Sequence, residues 1–314
     1  MADNQYIFAV ARTRVLETKL LSDSFIEQLI TAPDTEYCER LLTEKGWESD
    51  LVLEEQKVWD TVKELQVPET VFEVLQLPNL YHNLKAAIKE SVTPDPHPGA
   101  FYETASIGRE KMLKILQTKD FSALPDHMRA VAKEAYDTFL RTQDGQLCDV
   151  MVDRACLEAI REEGIRSGSP VIRDYAQTTV EVTDIKIAAR AAASGKSPEF
   201  ALKAMAECSG LNVKELAREV QGGLNGIIGY LRESAFSEAA EALEKSPSAF
   251  ERWCDNRLIR SMKPQKMNPF SVGPLFAYVI ARLNEIKTVR IVLSCKANGF
   301  SQDNIRERVR EMYG

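Results

Sequence analysis

The sequence predicts an all-α protein, and three observations predict it. Apolar residues recur three and four apart along most of the chain, and no stretch alternates with period two over the length of a strand. Proline, glycine and Ser/Asp residues also stand where such runs should begin and end. From Tyr6 to Leu21, Phe8, Ala11, Val15 and Leu16 form an apolar stripe with Arg12, Arg14, Glu17 and Lys19 between them, the pattern of an amphipathic helix. The same pattern predicts helices over about Asp34–Lys45, Leu51–Leu65, Leu80–Val92, Phe101–Gln117, Pro125–Arg141, Met151–Arg166 and Val171–Ser194. It continues over Pro198–Cys208, Val213–Leu231, Ser234–Lys245, Pro247–Met262, Phe276–Ala297 and Gln302–Met312. Ser197-Pro198 and Ser246-Pro247 each place a cap before a proline at the first helical position, where its missing N–H costs nothing. Gly46, Gly210 and Gly299 follow helical runs and are candidates for left-handed caps. The segment Thr93-Pro94-Asp95-Pro96-His97-Pro98-Gly99 cannot be helical and reads as a stiff loop or a hinge.

Composition narrows the function classes. The 314 residues carry 40 Lys+Arg against 47 Asp+Glu, a net charge of −7, with 44% hydrophobic residues. That apolar content is too high for a disordered chain, and the acidic balance argues against nucleic acid as a partner. The six cysteines stand far apart with no CxxC pair, so they read as reduced cytosolic thiols rather than a zinc site or a disulfide framework. The start, Met1-Ala2-Asp3-Asn4-Gln5, lacks the features of a signal peptide. The longest apolar stretch, from Val272 to Ala281, is far short of the roughly 20 residues that span a bilayer. Any membrane role is expected to be peripheral.

An internal repeat carries more information. Asn83-Leu84-Lys85, Asp184-Ile185-Lys186 and Glu285-Ile286-Lys287 are similar phrases standing 101 residues apart. The apolar stripe Phe276, Val279, Leu283, Ile286 and Val289 has counterparts at Tyr175, Thr178, Val182, Ile185 and Ala188, and again at Val74, Leu77, Tyr81, Leu84 and Ala87. Pro78 should break or kink the first copy. Val152-Asp153-Arg154 and Cys254-Asp255-Asn256-Arg257 precede the second and third stripes, and Ser197 and Ser301 each open a short helix after them. This period predicts three similar helical units, residues 1–117, 118–220 and 221–314, with the N-terminal helix free to pack against the third.

Motifs that carry chemistry are weak. Gly195-Lys196-Ser197 looks like the end of a phosphate loop, but Arg190 stands where the first glycine should, and the preceding residues are helix-forming where a strand is required. Gly222, Gly223, Gly226 and Gly229 lack the order of a dinucleotide fingerprint and read as close packing or a helix break. His82, His97 and His127 have no ligand spacing, so no metal is expected. Glu54-Glu55 and Glu162-Glu163 read as solvated helix faces. Lys85, Lys186 and Lys287, with the neighbouring Asp184, Glu285 and Arg290, are either intra-repeat ion pairs or part of a partner-binding surface. No catalytic residue and no cofactor is expected.

The stretch from Tyr6 to Arg14, with Leu20-Leu21-Ser22, resembles the opening of the C subunit of bacterial and archaeal V/A-type rotary ATPases, the counterpart of the d subunit of the eukaryotic vacuolar ATPase. Asn284 to Gly299, followed by Ile305-Arg306-Glu307-Arg308, resembles that family's closing signature. Pro78 and Ser294-Cys295 depart from its pattern. The resemblance implies three helical domains around a pseudo-threefold axis, forming a funnel. It implies a non-catalytic socket that joins the central stalk, made of D- and F-type subunits, to the membrane rotor ring. One copy per complex is implied, on the cytoplasmic face and without direct bilayer insertion. The competing expectation is a generic α-helical repeat scaffold or adaptor.

Overall fold

A computed structural model describes residues 6–92 and 100–314. The loop expected at 93–99, with His97, lies outside the described residues. Among the described residues the chain is all-α, with helices joined by short turns and 3-10 segments and no strand. In order these are α1 (Ile7–Glu17), α2 (Asp23–Thr31), α3 (Thr35–Glu44), α4 (Leu51–Glu64), α5 (Glu73–Val92), α6 (Arg109–Thr118), α7 (Asp126–Thr142) and α8 (Gly145–Arg166). There follow α9 (Pro170–Ala193), α10 (Pro198–Ala204), α11 (Val213–Glu219), α12 (Gly223–Arg232), α13 (Ser237–Lys245), α14 (Pro247–Met262), α15 (Gly273–Ala297) and α16 (Gln302–Arg308).

Local chemistry explains most of the boundaries. Ser22, Asp34, Asp50, Asp144, Ser197, Ser246 and Ser301 each accept a main-chain N–H of the first turn that follows, which satisfies a donor the helix itself cannot pair. Gly46 and Gly299 take left-handed φ of 80° and 70°, as the caps require. Gly210 does not: a Cβ there would stand 2.1 Å from Glu181 Oε1, so this glycine serves close approach to a carboxylate.

Several expectations are corrected. Helix α5 begins at Glu73 and runs unbroken through Pro78, where a helix starting only at Leu80 is expected. Residues 101–108 are not helical, because Asn83 binds the main chain of this segment at Tyr102 and Ile107. The expected helix from Val213 to Leu231 is interrupted at Gly223, where φ is 65°, and α2, too short to show in the periodicity, is an additional helix. Most consequentially, the stripe read on α1 is not its buried face. Ala9, Val10 and Thr13 are buried, while Phe8 and Val15 are each 62% exposed. Helix α1 is apolar over two faces, so its period alone does not select the inner one.

The chain divides into two compact units. The first comprises residues up to 71, 169–178 and 231–314. Its centre is α15, buried on every side from Gly273 to Ala281, as expected of a helix apolar all round. Helices α1, α2, α3, α4, α14 and α16 pack on it. Tyr175 stands edge-on to Phe276 at 5.3 Å between centroids, and Phe236, Phe250 and Trp253 form an aromatic cluster beside α14. After α16 the chain turns extended at Val309, which is why that helix stops short of Met312. Arg310 pairs with Asp255 at 2.7 Å, and the main chain of Glu311 is held by Asn256 and Asn284 at 2.8 and 3.0 Å.

The second unit comprises residues 72–168 and 179–230. Helices α5, α7 and α8 pack together with α6 against α5. Val74, Leu77, Tyr81, Leu84 and Ala87 of α5 are all buried, in company with Met112, Leu116, Met128 and Ile160. In α9, Val182, Ile185 and Ala188 are likewise buried.

Candidate functional site

The repeated Asn/Asp/Glu position is the most informative polar site in the chain. Asn83, Asp184 and Glu285 stand 101 residues apart, and all are buried. Each accepts a main-chain N–H from a segment distant in sequence: Asn83 from Tyr102 at 2.8 Å, Asp184 from Ala206 at 3.1 Å, and Glu285 from Leu21 at 2.5 Å. A buried N–H left unpaired costs about 1–3 kcal/mol, so each of these side chains pins a connecting segment against its own helix. Asp184 and Glu285 therefore face inward, engaged with their own chain.

The lysines two residues on turn toward neighbouring helices. Lys85 pairs with Asp153 at 2.5 Å and Lys287 with Asp255 at 2.7 Å, each pair bridging two helices of one unit. Lys186 is half-buried on α9, and Arg290 is exposed on α15. The structure thus does not gather the six residues into one patch within either unit. It makes Lys85 and Lys287 parts of ion pairs and leaves Arg290 at the surface.

Burial shapes the titration of the pins. Desolvation pushes the Asp184 carboxyl up to about 8, against the pull of the Ala206 N–H and Cys208, so it holds its proton at neutral pH. Glu285 is pushed up to about 7, again by burial first, although the Arg282 guanidinium lies 2.5 Å away. Arg282 also binds Glu54 and lies over the Trp47 ring at 4.7 Å. Lys57 then bridges Glu54 and Glu48 at 3.3 and 2.7 Å. Sequence reading misses this network and takes Glu54 for a solvated residue. The one signal for it in the sequence is an arginine, Arg282, placed directly after the longest apolar stretch of the chain.

The remaining motifs resolve into structure. Gly195 lies at φ 63°, Lys196 N donates to Ala191 O at 2.9 Å, and Ser197 caps α10, so Gly195-Lys196-Ser197 closes one helix and opens the next. The same turn recurs at Gly299, Phe300 and Ser301, where Phe300 N donates to Cys295 O at 3.0 Å. Lys196 Nζ binds Gln146 Oε1 at 2.9 Å, a local contact at the surface. Lys196→Ala should leave nucleotide binding by isothermal titration indistinguishable from the parent chain. It should change stability by no more than about 1 kcal/mol.

His82 hydrogen-bonds Ala100 O at 2.8 Å and His127 stands 3.0 Å from the Tyr81 hydroxyl, each serving a local contact. Among the described residues no group of three or more His, Cys, Asp or Glu is placed to hold a metal. None of the six cysteines is in a disulfide. Burial raises Cys148 to about 11 and Cys156 and Cys208 to about 12, which makes them poor nucleophiles. No described helix is long and apolar enough to cross a membrane.

Comparison with known proteins accounts for a chain whose polar residues are spent on holding helices together. The family described as ATP synthase (C/AC39) subunit matches residues 9–308. The C subunit of the V-type sodium ATPase of Enterococcus hirae is 21% identical over 95% of both chains. The C subunit of the A-type ATP synthase of Methanocaldococcus jannaschii is 21% identical, covering 96% of this chain and 85% of its own. The C subunit of the V-type ATP synthase of Thermus thermophilus is 24% identical over 98% of this chain and 99% of its own. With a match that runs through nearly all of its helices, the chain belongs to the ATP synthase (C/AC39) subunit family, the C subunits of V/A-type rotary ATPases.

Proposed function

We propose that this chain is the non-catalytic coupling subunit of a V/A-type rotary ATPase, a socket that joins the central stalk to the membrane rotor ring. The observation that carries the reading is the family match from residue 9 to residue 308, which spans both units. On this reading the partners are the D- and F-type stalk subunits and the ring, one copy serves each complex, and the site of action is the cytoplasmic face. The three repeats, 1–117, 118–220 and 221–314, then form a funnel about a pseudo-threefold axis.

Physical chemistry supports the role. A torque coupler needs stiffness, which close-packed helices pinned by buried polar contacts supply. It needs broad docking contacts more than a reactive centre, and exposed cations such as Arg290 at helix surfaces suit a polar interface rim. The test is co-sedimentation of the purified chain with a detergent-solubilised rotor ring and stalk pair. Association with both, and no ATP hydrolysis by the chain alone, is the expected result. Failure to bind either partner rules out the socket.

A further inference from the structure

The outer face of α1 is left open by the helices of its own unit, and its pattern says what would cover it. With Phe8 and Val15 at the a positions of a heptad, Ala11 falls at d, Arg12 at e, and Ile7 and Arg14 at g. Ile7 is 47% exposed, Phe8 and Val15 are 62% exposed, and Ala11 and Arg12 are also exposed. The opposite face, Ala9, Val10 and Thr13, is the one buried where α1 packs on α15. So α1 carries a helix-pairing seam on its solvent side, in addition to the face that anchors it.

The flanks of that seam are basic. Between residues 6 and 19 the charged side chains are Arg12, Arg14, Lys19 and a single acid, Glu17. Arg12 reaches Glu64 of α4 at 3.2 Å, but both side chains stay largely in water, so the pair is weak and open to exchange. Arg14 holds Glu17 at 2.7 Å and donates to Gln265 O and Asn268 O at 3.0 and 2.9 Å, which clamps the segment after α14 beside α1. From residue 263 to 272 that segment holds no acid; its Lys263 pairs with Glu311 at 2.5 Å, its Lys266 lies over the Tyr313 ring at 4.9 Å, and it presents Met267 and Phe270, 87% and 55% exposed. With Arg12, Arg14 and Lys263 each offset by one acid, Lys19 and Lys266 leave the surroundings of the apolar stripe net basic in a chain of net charge −7.

We infer that α1 is one half of an intermolecular helix pair, and that the other half is an amphipathic helix of a different subunit with acidic residues flanking its apolar seam. Charge complementarity selects this occupant, since e and g side chains meet across such a pair and opposite signs set partner choice. A second copy of this chain would oppose Arg12 and Arg14 to themselves, so charge disfavours self-pairing. The inference rests on the reading of the chain as a coupling subunit, and it locates one docking surface of that subunit.

The experiment uses the full chain assembled with the detergent-solubilised rotor ring and stalk pair. A photo-crosslinking residue is placed at Phe8 or Val15, and the product is identified by mass spectrometry. The expected product joins position 8 or 15 to a helix of a stalk or ring subunit that carries Asp or Glu beside its apolar seam. The double reversal Arg12→Glu with Lys19→Glu should weaken assembly about tenfold near 0.1 M salt and less at high salt. Circular dichroism and unfolding of the isolated variant should stay close to those of the parent chain, because these side chains point away from the core. Crosslinks only to lipid, only to a second copy or to a basic segment would overturn the inference. So would charge-reversed variants that assemble as the parent does. If the parent chain itself fails to assemble, the socket reading falls first and this inference with it.

Discussion

Replacing Arg282 by methionine lowers the stability of the first unit by about 3–5 kcal/mol, because it takes the guanidinium from the buried Glu285 carboxyl and leaves Glu54 with Lys57 alone. The side chains of Arg282, Glu54 and Glu285 are 11%, 3% and 2% exposed, so water cannot take over the lost interactions. Glu285 remains bound to the Leu21 N–H at 2.5 Å and cannot swing outward without releasing the turn between α1 and α2. The substitution also removes the guanidinium from the Trp47 ring. At roughly 2–4 °C per kcal/mol for a unit of this size, the melting midpoint should fall by about 10 °C in calorimetry. Adding Glu54→Gln and Glu285→Gln should recover part of the loss. The glutamines keep acceptors for the Glu48 and Leu21 N–H groups while removing the buried charges that Arg282 had offset. A midpoint that moves by less than about 2 °C in Arg282→Met would show that the network contributes little.

Asp184→Asn should have the opposite sign, and its effect should depend on pH. In the folded chain the carboxyl is held up at about 8 by burial, against an ordinary value of 3.8. Below about pH 4 both states bind the proton, and the side chain contributes no pH dependence. As pH rises from about 4 to 8, the unfolded chain releases its proton while the folded chain keeps it, so the folded state loses stability across that window. Above about pH 8 the loss is complete. Asparagine does not titrate and retains an oxygen for the Ala206 N–H.

The chain already uses asparagine this way at the equivalent repeat position. Asn83 accepts from Tyr102 N at 2.8 Å and donates to Tyr102 O and Ile107 O at 3.0 Å each. In urea unfolding, Asp184→Asn should match the parent near pH 4. At about pH 8 it should be the more stable by about 5 kcal/mol. Equal stabilities at both pH values would mean that the buried carboxyl titrates normally. Asp184→Leu is the contrasting control: it also removes the titrating group but strands the Ala206 N–H, so it should be less stable than Asp184→Asn by about 1–3 kcal/mol at every pH.

Both predictions rest on residues whose position is legible in the sequence and whose role is not. Asn83, Asp184 and Glu285 stand out as a repeated phrase, yet a charged residue in a helix reads as solvated until the segment that covers it is known. Lys85 and Lys287 are equally compatible, by spacing, with an ion pair and with a docking surface. Their pairing with Asp153 and Asp255 is visible only once the neighbouring helices are in place. Glu54-Glu55 looks like any exposed acidic pair, and the burial of Glu54 depends on Arg282, 228 residues away. The Gly195-Lys196-Ser197 turn is the opposite case. Local sequence argues against a phosphate loop there, and the local hydrogen bonds agree.

The helical class, most helix boundaries, the 101-residue register and the family are all legible in the chain as written. They follow from spacing, caps and end signatures, which act within a turn or two of chain. Packing was needed to choose which polar residues became buried pins, which acids share Arg282, and which of two apolar faces of α1 turns inward. The physical reason is that burial belongs to a pair of surfaces. A helix periodic on two sides carries no local mark of the neighbour that will cover one of them, and α1 keeps its second face, with Phe8 and Val15, in the open.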